Sequence, residues 1–175
     1  RRDDPLTQLD RDVDRLRSVG GTPRVAIVLG SGLGGLIDHV TESVEVPFSD
    51  ITSLPEPTVP GHRGRFVFGF LHDVPVVLLD GRLHAYEGHG LDEIVAPIRI
   101  LVRLGAAALI LTNAAGGIDP RLTPGDIVLI EDQLNVSFRS SLAGPVLAGE
   151  ERFPDMSAPF DDALQEIFRD VAAQI

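Results

Sequence analysis

Arg24-Val25-Ala26-Ile27-Val28-Leu29, running straight into Gly30-Ser31-Gly32-Leu33-Gly34-Gly35, is the stretch whose reading decides the fold. The run Arg24–Leu29 has the continuous apolar character of a strand buried on both faces. Leu36, Ile37 and Val40 then suggest a short helix. Strand, glycine turn and helix together point to an α/β chain. They also make an anion-binding arrangement, because unpaired N–H groups at a helix start face the ligand. The glycines let the backbone come close, and the Ser31 hydroxyl can donate. Gly30, Gly32 and Gly35 satisfy the dinucleotide pattern G-x-G-x-x-G, which alone is a weak signal. A dinucleotide-binding unit needs a second parallel strand ending in an acid about 20 residues on. That region here is Ser43–Phe48, broken by Pro47. A tight turn holding no ligand competes fairly for the glycines taken alone.

Working outward, Leu6, Leu9, Val13, Leu16 and Val19 recur at helical spacing and stop at Gly20-Gly21, an amphipathic packing helix. Residues 49–61 read as a loop ending in Gly61-His62-Arg63-Gly64-Arg65, either a second anion contact or a turn with solvated arginines. Phe66–Leu71 and Pro75–Leu79 flank His72-Asp73 and predict a β-hairpin, although that pair is not a favoured turn. The second strand leads into Gly81-Arg82-Leu83-His84-Ala85-Tyr86-Glu87-Gly88-His89. A strand end is where α/β proteins place ligand groups. Arg82 offers a planar fork of donors suited to an oxyanion. His84 adds donors, and Glu87, three residues on, can hold that imidazole charged or fix its tautomer. Any one of these residues reads most simply as part of an exposed polar loop; the whole cluster reads as a site for an anion such as phosphate, beside something Tyr86 packs on.

Leu91–Leu104 predicts a helix with Asp92-Glu93 in its first turn, Pro97 as a kink and Gly105 after its end. Ala106–Leu111 predicts another buried strand, ending in Thr112-Asn113-Ala114-Ala115-Gly116-Gly117. Those small residues would let a flat ligand lie against the backbone, or simply serve a tight strand-to-loop turn. Pro124-Gly125-Asp126 predicts a turn before a strand over Ile127–Ile130. Residues 132–160 have little periodicity, which marks a functional, mobile or interface segment. Asp161 caps a helix with Ala163, Leu164, Ile167, Phe168, Val171, Ala172 and Ile175 on one face.

The totals narrow the function. One domain spanning 1–175 is expected, globular at 43% hydrophobic and 23% charged. A net charge of -11 argues against nucleic acid as a partner. All 15 basic residues are arginine, so a lysine nucleophile, a Schiff base and a P-loop lysine are excluded. With no cysteine there is no thiolate metal site or cysteine nucleophile, and no metal is expected. No apolar run is long enough to span a bilayer and no signal peptide is seen, so no membrane partner and a cytoplasmic location are expected.

Six segments in order carry a family resemblance. They are Val25–Gly35, Thr58–Gly64, Gly81–Gly88, Thr112–Gly117, Pro124-Gly125-Asp126-Ile127 and Arg152-Phe153-Pro154-Asp155-Met156-Ser157. In these the chain resembles the trimeric class of purine nucleoside phosphorylases. The related methylthioadenosine phosphorylases differ at Asn113–Gly117 and rank second. The resemblance implies an α/β fold with a mixed central β-sheet flanked by helices. It implies phosphate-dependent cleavage of the N-glycosidic bond of purine nucleosides, giving free base and (deoxy)ribose 1-phosphate, with no cofactor and inorganic phosphate as co-substrate. By resemblance Ser31, His62, Arg82, His84 and the backbone at Ala114 bind phosphate. Tyr86 lies by the ribose and phosphate, and Asn113, Ala114, Ala115 and Gly116 line the nucleoside pocket. Phe153 closes the ribose side of a neighbouring subunit's site, which implies a homotrimer. His84, Tyr86 and Glu87 are the expected catalytic group. The family's base-recognition glutamate and asparagine come later than Ile175, so the resemblance also implies a C-terminally incomplete family fold. Two other readings stand beside it: a non-catalytic phosphate-binding or subunit-interaction relic, and a dinucleotide-binding protein built on Gly30–Gly35.

Overall fold

In a computed structural model, residues 5–55 and 63–174 are described. By their contacts the residues fall into two units, Arg1–Ala115 and Gly116–Ile175.

The first unit is built on a five-stranded mixed sheet in the order β2-β3-β4-β1-β5. The strands are β1 (Val25–Leu29), β2 (Thr41–Pro47), β3 (Arg65–Leu71), β4 (Val74–Asp80) and β5 (Ala108–Leu111). β1 runs parallel to both β4 and β5, while β2–β3 and β3–β4 are antiparallel. The apolar run at 24–29 therefore sits between two parallel neighbours, as its lack of alternation predicts. Ala26, Val28, Phe66, Phe68, Val77 and Leu79 point to one face of the sheet. There they meet Leu9, Val13 and Leu16 of α1 (Pro5–Gly20) and Ile100 and Leu101 of α2 (Leu91–Arg103). On the opposite face Leu29, Val67, Val76 and Leu78 pack with Val40 and with Leu36 and Ile37 of a 3₁₀ turn over Gly34–His39. This two-sided burial supplies the main stabilisation, on the order of 1.5–3 kcal/mol for each large apolar side chain fully buried.

The helices are fixed to each other as well as to the sheet. Arg17 donates to the Arg103 carbonyl at 2.9 Å, at the end of α2, and Arg103 pairs with Asp10 at 2.7 Å. The buried Asp12 carboxylate accepts N–H groups of Thr52 and Ser53 at 3.2 and 2.8 Å, tying α1 to the loop after β2. Glu93 accepts the Gly90 N–H at 2.9 Å and so closes the first turn of α2. Pro97 is tolerated within α2 and is buried.

Several expectations change here. Val19 is 46% exposed, so the apolar stripe of α1 ends at Leu16. The segment with Pro47 is an antiparallel edge strand. It pairs with β3 and ends at the proline, which lacks the N–H a longer ladder would need. The predicted buried strand over Ala106–Leu111 is shorter and only partly buried, because β5 is the sheet edge and Leu111 is 54% exposed. The hairpin is as expected, and its turn is informative. His72 and Asp73 both have positive φ, 47° and 63°, as the type I′ hairpin turn requires. Replacing the pair by Asn-Gly should relieve that cost and stabilise the protein by about 1–2 kcal/mol, read as a raised thermal midpoint. An unchanged or lowered midpoint would contradict the turn assignment.

In the second unit, Pro124-Gly125-Asp126 forms the expected turn, with the Asp126 N–H donating to the Thr123 carbonyl at 3.1 Å. Arg121 clasps Asp119 at 2.6 Å, and this bond holds the Asp119 carboxyl below its ordinary range. Ile127–Ile130 is not a strand: it finds no ladder partner among the described residues, and Ile127 is 94% exposed. Residues 132–160 contain no helix or strand, as their lack of period predicts. α3 (Asp162–Ala172) begins as expected, with the Asp161 carboxylate accepting the Leu164 N–H at 2.9 Å. Its apolar face is largely uncovered, Ile167, Phe168 and Val171 all being exposed. Ile175 lies outside the described residues.

Candidate functional site

The site begins where three parallel strands end. The register sets Leu29 of β1 opposite Asp80 of β4, and Val28 opposite Leu111 of β5. Gly30-Ser31, Gly81-Arg82 and Thr112-Asn113 therefore leave the same edge of the sheet side by side. The chain passes from β4 through α2 to β5 on the far side of β1, so this is a topological switch point, where open α/β sheets bind ligands.

Two close backbone approaches hold the segments together. The Gly30 N–H donates to Thr112 Oγ1 at 2.7 Å, and Thr112 Oγ1 donates to the Val28 carbonyl at 2.7 Å. A Cβ on Gly30 would lie 2.8 Å from the Asn113 Cα, so only glycine lets β1 and β5 close in this way. On the other side, Gly81 has φ +102°, and a Cβ there would lie 2.7 Å from the Gly64 nitrogen. The Arg63-Gly64 backbone thus lies directly against Gly81, which leads into the Arg82–Glu87 segment.

Arg65 fixes the end of β4. It faces Asp80 across the β3–β4 ladder and donates from Nε to Asp80 Oδ2 at 2.8 Å, while its Nη1 pairs with Glu45 of β2. Burial alone would pull the Arg65 pKa down, but the hydrogen bonds to Asp80 and Glu45 outweigh it and hold the guanidinium above its ordinary value. Asp80 is thereby pinned one residue before Gly81.

Beyond Gly81, Leu83 is buried at 3% exposure and anchors the segment. His84 stands in extended backbone before a 3₁₀ turn over Ala85–Glu87. The Glu87 carboxylate is almost fully buried, and its Oε1 receives the His84 backbone N–H at 2.9 Å and lies 2.9 Å from His84 Nδ1. With Glu87 ionised, Nδ1–H is the donor of this bond. The Tyr86 ring stacks on the His84 ring, centroids 4.7 Å apart and planes 19° apart, with Tyr86 itself 74% exposed. One imidazole is thus stacked on an aromatic plate and bonded through Nδ1 to a buried carboxylate.

The family model described as the phosphorylase superfamily matches residues 24–175. The chain belongs to the phosphorylase superfamily. It is similar to purine nucleoside phosphorylase 1 of Geobacillus stearothermophilus, 41% identical over 155 residues, covering 88% of this chain and 57% of that protein. It is also 42% identical over 151 residues to the purine nucleoside phosphorylase of Bos taurus, 82% of this chain and 51% of that protein. Among solved structures it is similar to the Schistosoma mansoni isoform 2 enzyme in complex with cytosine and ribose-1-phosphate. That match has a TM-score of 0.88 at 36% identity and covers 98% of this chain and 63% of that one. The phosphorylase chain here spans about half the length of the curated relatives it matches. The expected mixed sheet with flanking helices is the fold these phosphorylase structures share with it.

Against that family background, the expected site residues divide by place. Ser31, Arg82, His84, Tyr86, Glu87, Asn113, Ala114 and Ala115 lie in the first unit, at or just beyond the three strand ends. His62 lies outside the described residues. Gly116 and Phe153 belong to the second unit, and Phe153 is 89% exposed. Reasoning from the sequence missed Thr112 as the hydroxyl bridge and Arg65–Asp80 as the clamp. The first has no local signal. The second needs the hairpin register, which the two-residue turn supplies. No cluster of metal-ligating side chains is found among the described residues, and no described helix is long and apolar enough to cross a membrane.

Proposed function

We propose that this phosphorylase cleaves purine nucleosides with inorganic phosphate, giving the free purine and ribose 1-phosphate or its deoxy counterpart. What supports the reading is that Ser31 follows β1, and Arg82 and the Glu87-held His84 follow β4, two parallel strands whose last residues are register partners, in a chain 41% identical to a purine nucleoside phosphorylase.

In this reading Arg82, His84 Nε2, the Ser31 hydroxyl and the Ala114 backbone hold the phosphate, with His62 as a further donor. Charge-assisted bonds suit a dianion, and holding it in place removes much of the entropy cost of bringing two reactants together. As the bond between C1′ and the purine nitrogen stretches, positive charge grows on the ribose, as in glycoside cleavage generally. A phosphate oxygen then bonds to C1′ from the opposite face. The electron pair of the broken bond leaves with the purine, which takes up a proton. No covalent nucleophile and no cofactor are required. Tyr86, Asn113, Ala115 and Gly116 would line the nucleoside side, and Phe153 would serve a neighbouring subunit of a trimer. A cytoplasmic location and the absence of nucleic-acid and membrane partners belong to the same reading.

The test is inosine cleavage by the protein, followed with and without phosphate. Hypoxanthine release that requires phosphate, with ribose 1-phosphate formed in equal amount, is the expected result. Release of free ribose without phosphate would identify a hydrolase. No release despite measurable phosphate binding would favour the non-catalytic phosphate-binding alternative.

A further inference from the structure

His89 takes no part in the chemistry above, yet it is placed directly behind it. Its side chain is mostly buried, and its two ring nitrogens face two carboxylates. Nε2 lies 3.8 Å from Glu87 Oε2, and Nδ1 lies 3.6 Å from Glu93 Oε2. Glu87 is the residue whose other oxygen holds His84 by both its backbone N–H and its Nδ1. Glu93 is the residue whose Oε2 also receives the Gly90 N–H and closes the first turn of α2. A continuous row thus runs from the start of α2 through Glu93, His89 and Glu87 to His84.

One detail gives the row a direction. His89 Nε2 is buried and has no hydrogen-bond partner among the described residues. A buried donor left unmade is costly, so such groups normally find an acceptor. The carboxylate oxygen facing it is Glu87 Oε2, a few tenths of an ångström beyond hydrogen-bond range. A small rotation of either side chain closes that gap without moving the backbone.

We propose that His89 is a positioning residue for His84: it donates Nε2–H to Glu87 Oε2 and so keeps Oε1 turned toward His84. Engaging both oxygens, one by His84 and one by His89, fixes the plane of the carboxylate. It thereby fixes which nitrogen of His84 carries the proton. The anion-facing role of His84 Nε2 rests on the proposed function; the tautomer control does not.

The experiment reads the ring nitrogens of His84 and His89 by ¹⁵N NMR, together with inorganic phosphate titration of the same samples. His89→Phe keeps the ring volume and removes both nitrogens; His89→Gln restores a donor near the Nε2 position. In the unaltered protein His89 is expected to be protonated at Nε2, and His84 at Nδ1. His89→Phe should move the His84 Nδ1 resonance toward a mixed tautomer and weaken phosphate about fivefold, the loss of one modest hydrogen bond. His89→Gln should return both values toward those of the parent. A folded His89→Phe protein with an unmoved His84 resonance and unchanged phosphate affinity would overturn the proposal, as would a loss that glutamine fails to repair. If the phenylalanine variant does not fold, the parent spectrum decides: His89 protonated only at Nδ1 refutes the proposed bond, and protonation at Nε2 upholds it. If the parent binds no phosphate, the reading of the site as a phosphate site fails. The movement of the His84 resonance then judges the role of His89 separately.

Discussion

Replacing Gly81 by alanine is expected to destabilise the first unit strongly and to remove phosphate binding with it. Two independent penalties meet at this position. The backbone stands at φ +102°, a conformation that side chains avoid, which costs about 1–3 kcal/mol. The new Cβ would also lie 2.7 Å from the Gly64 nitrogen, a backbone atom that cannot rotate away. Gly64 is buried, and its carbonyl receives the Phe48 N–H at 2.7 Å, so moving it disturbs the core around Phe48 as well. Overpacking of this kind costs about a further 1–3 kcal/mol. Gly88 supplies the control. It has φ +93° but nothing within 4 Å of its would-be Cβ, so Gly88→Ala should show the strain alone. Urea midpoints of the two variants separate the terms. Equal losses at Gly81 and Gly88 would mean that the close approach of Gly64 to Gly81 carries no energy, and the account of how the Gly64 and Gly81 segments are joined would fall.

That contact marks the limit of what the sequence makes legible. The central strands β1 and β4 are readable because a strand buried on both faces must be apolar throughout, and few other structures have that need. The Asp161 cap and the Glu93 closure of α2 are readable because the bonds span only three residues. The segment Gly81–His89 announces itself by density of chemistry. What escapes is whatever depends on register between distant strands. Thr112 bridges to Gly30 and Val28 across more than 80 residues, and nothing near Thr112 signals it. Gly64 meeting Gly81 needs β3 to be placed on β4 first. The strand expected at Ile127–Ile130 failed for the converse reason: local apolar pattern is present, but a strand exists only where another strand completes its hydrogen bonds, and none does among the described residues. His89 was legible as part of a cluster but not as a residue with its own place, since that depends on both ring nitrogens facing carboxylates.

Arg82→Ala should weaken inorganic phosphate by about 10- to 150-fold, the range for losing hydrogen bonds to a charged group. The sign and size follow from the charge of the whole chain as well as from the site. A net charge of -11 sets a background that repels a dianion, so affinity must come from donors placed at short range. Arg82 stands two residues past Asp80, as Ser31 stands two past Leu29, and Leu29 and Asp80 are register partners. Ser31→Ala removes one neutral hydroxyl and should cost only about 2- to 12-fold. The ordering of the two is therefore part of the prediction. Arg82→Lys resolves what the side chain contributes. A lysine keeps the charge but loses the planar fork, so a site that needs two parallel bonds recovers only part of the affinity. Full recovery with lysine would make the charge alone sufficient. Unchanged phosphate affinity in a folded Arg82→Ala protein would remove Arg82 from the site, and with it the strongest chemical reason for reading the end of β4 as the place where phosphate is held.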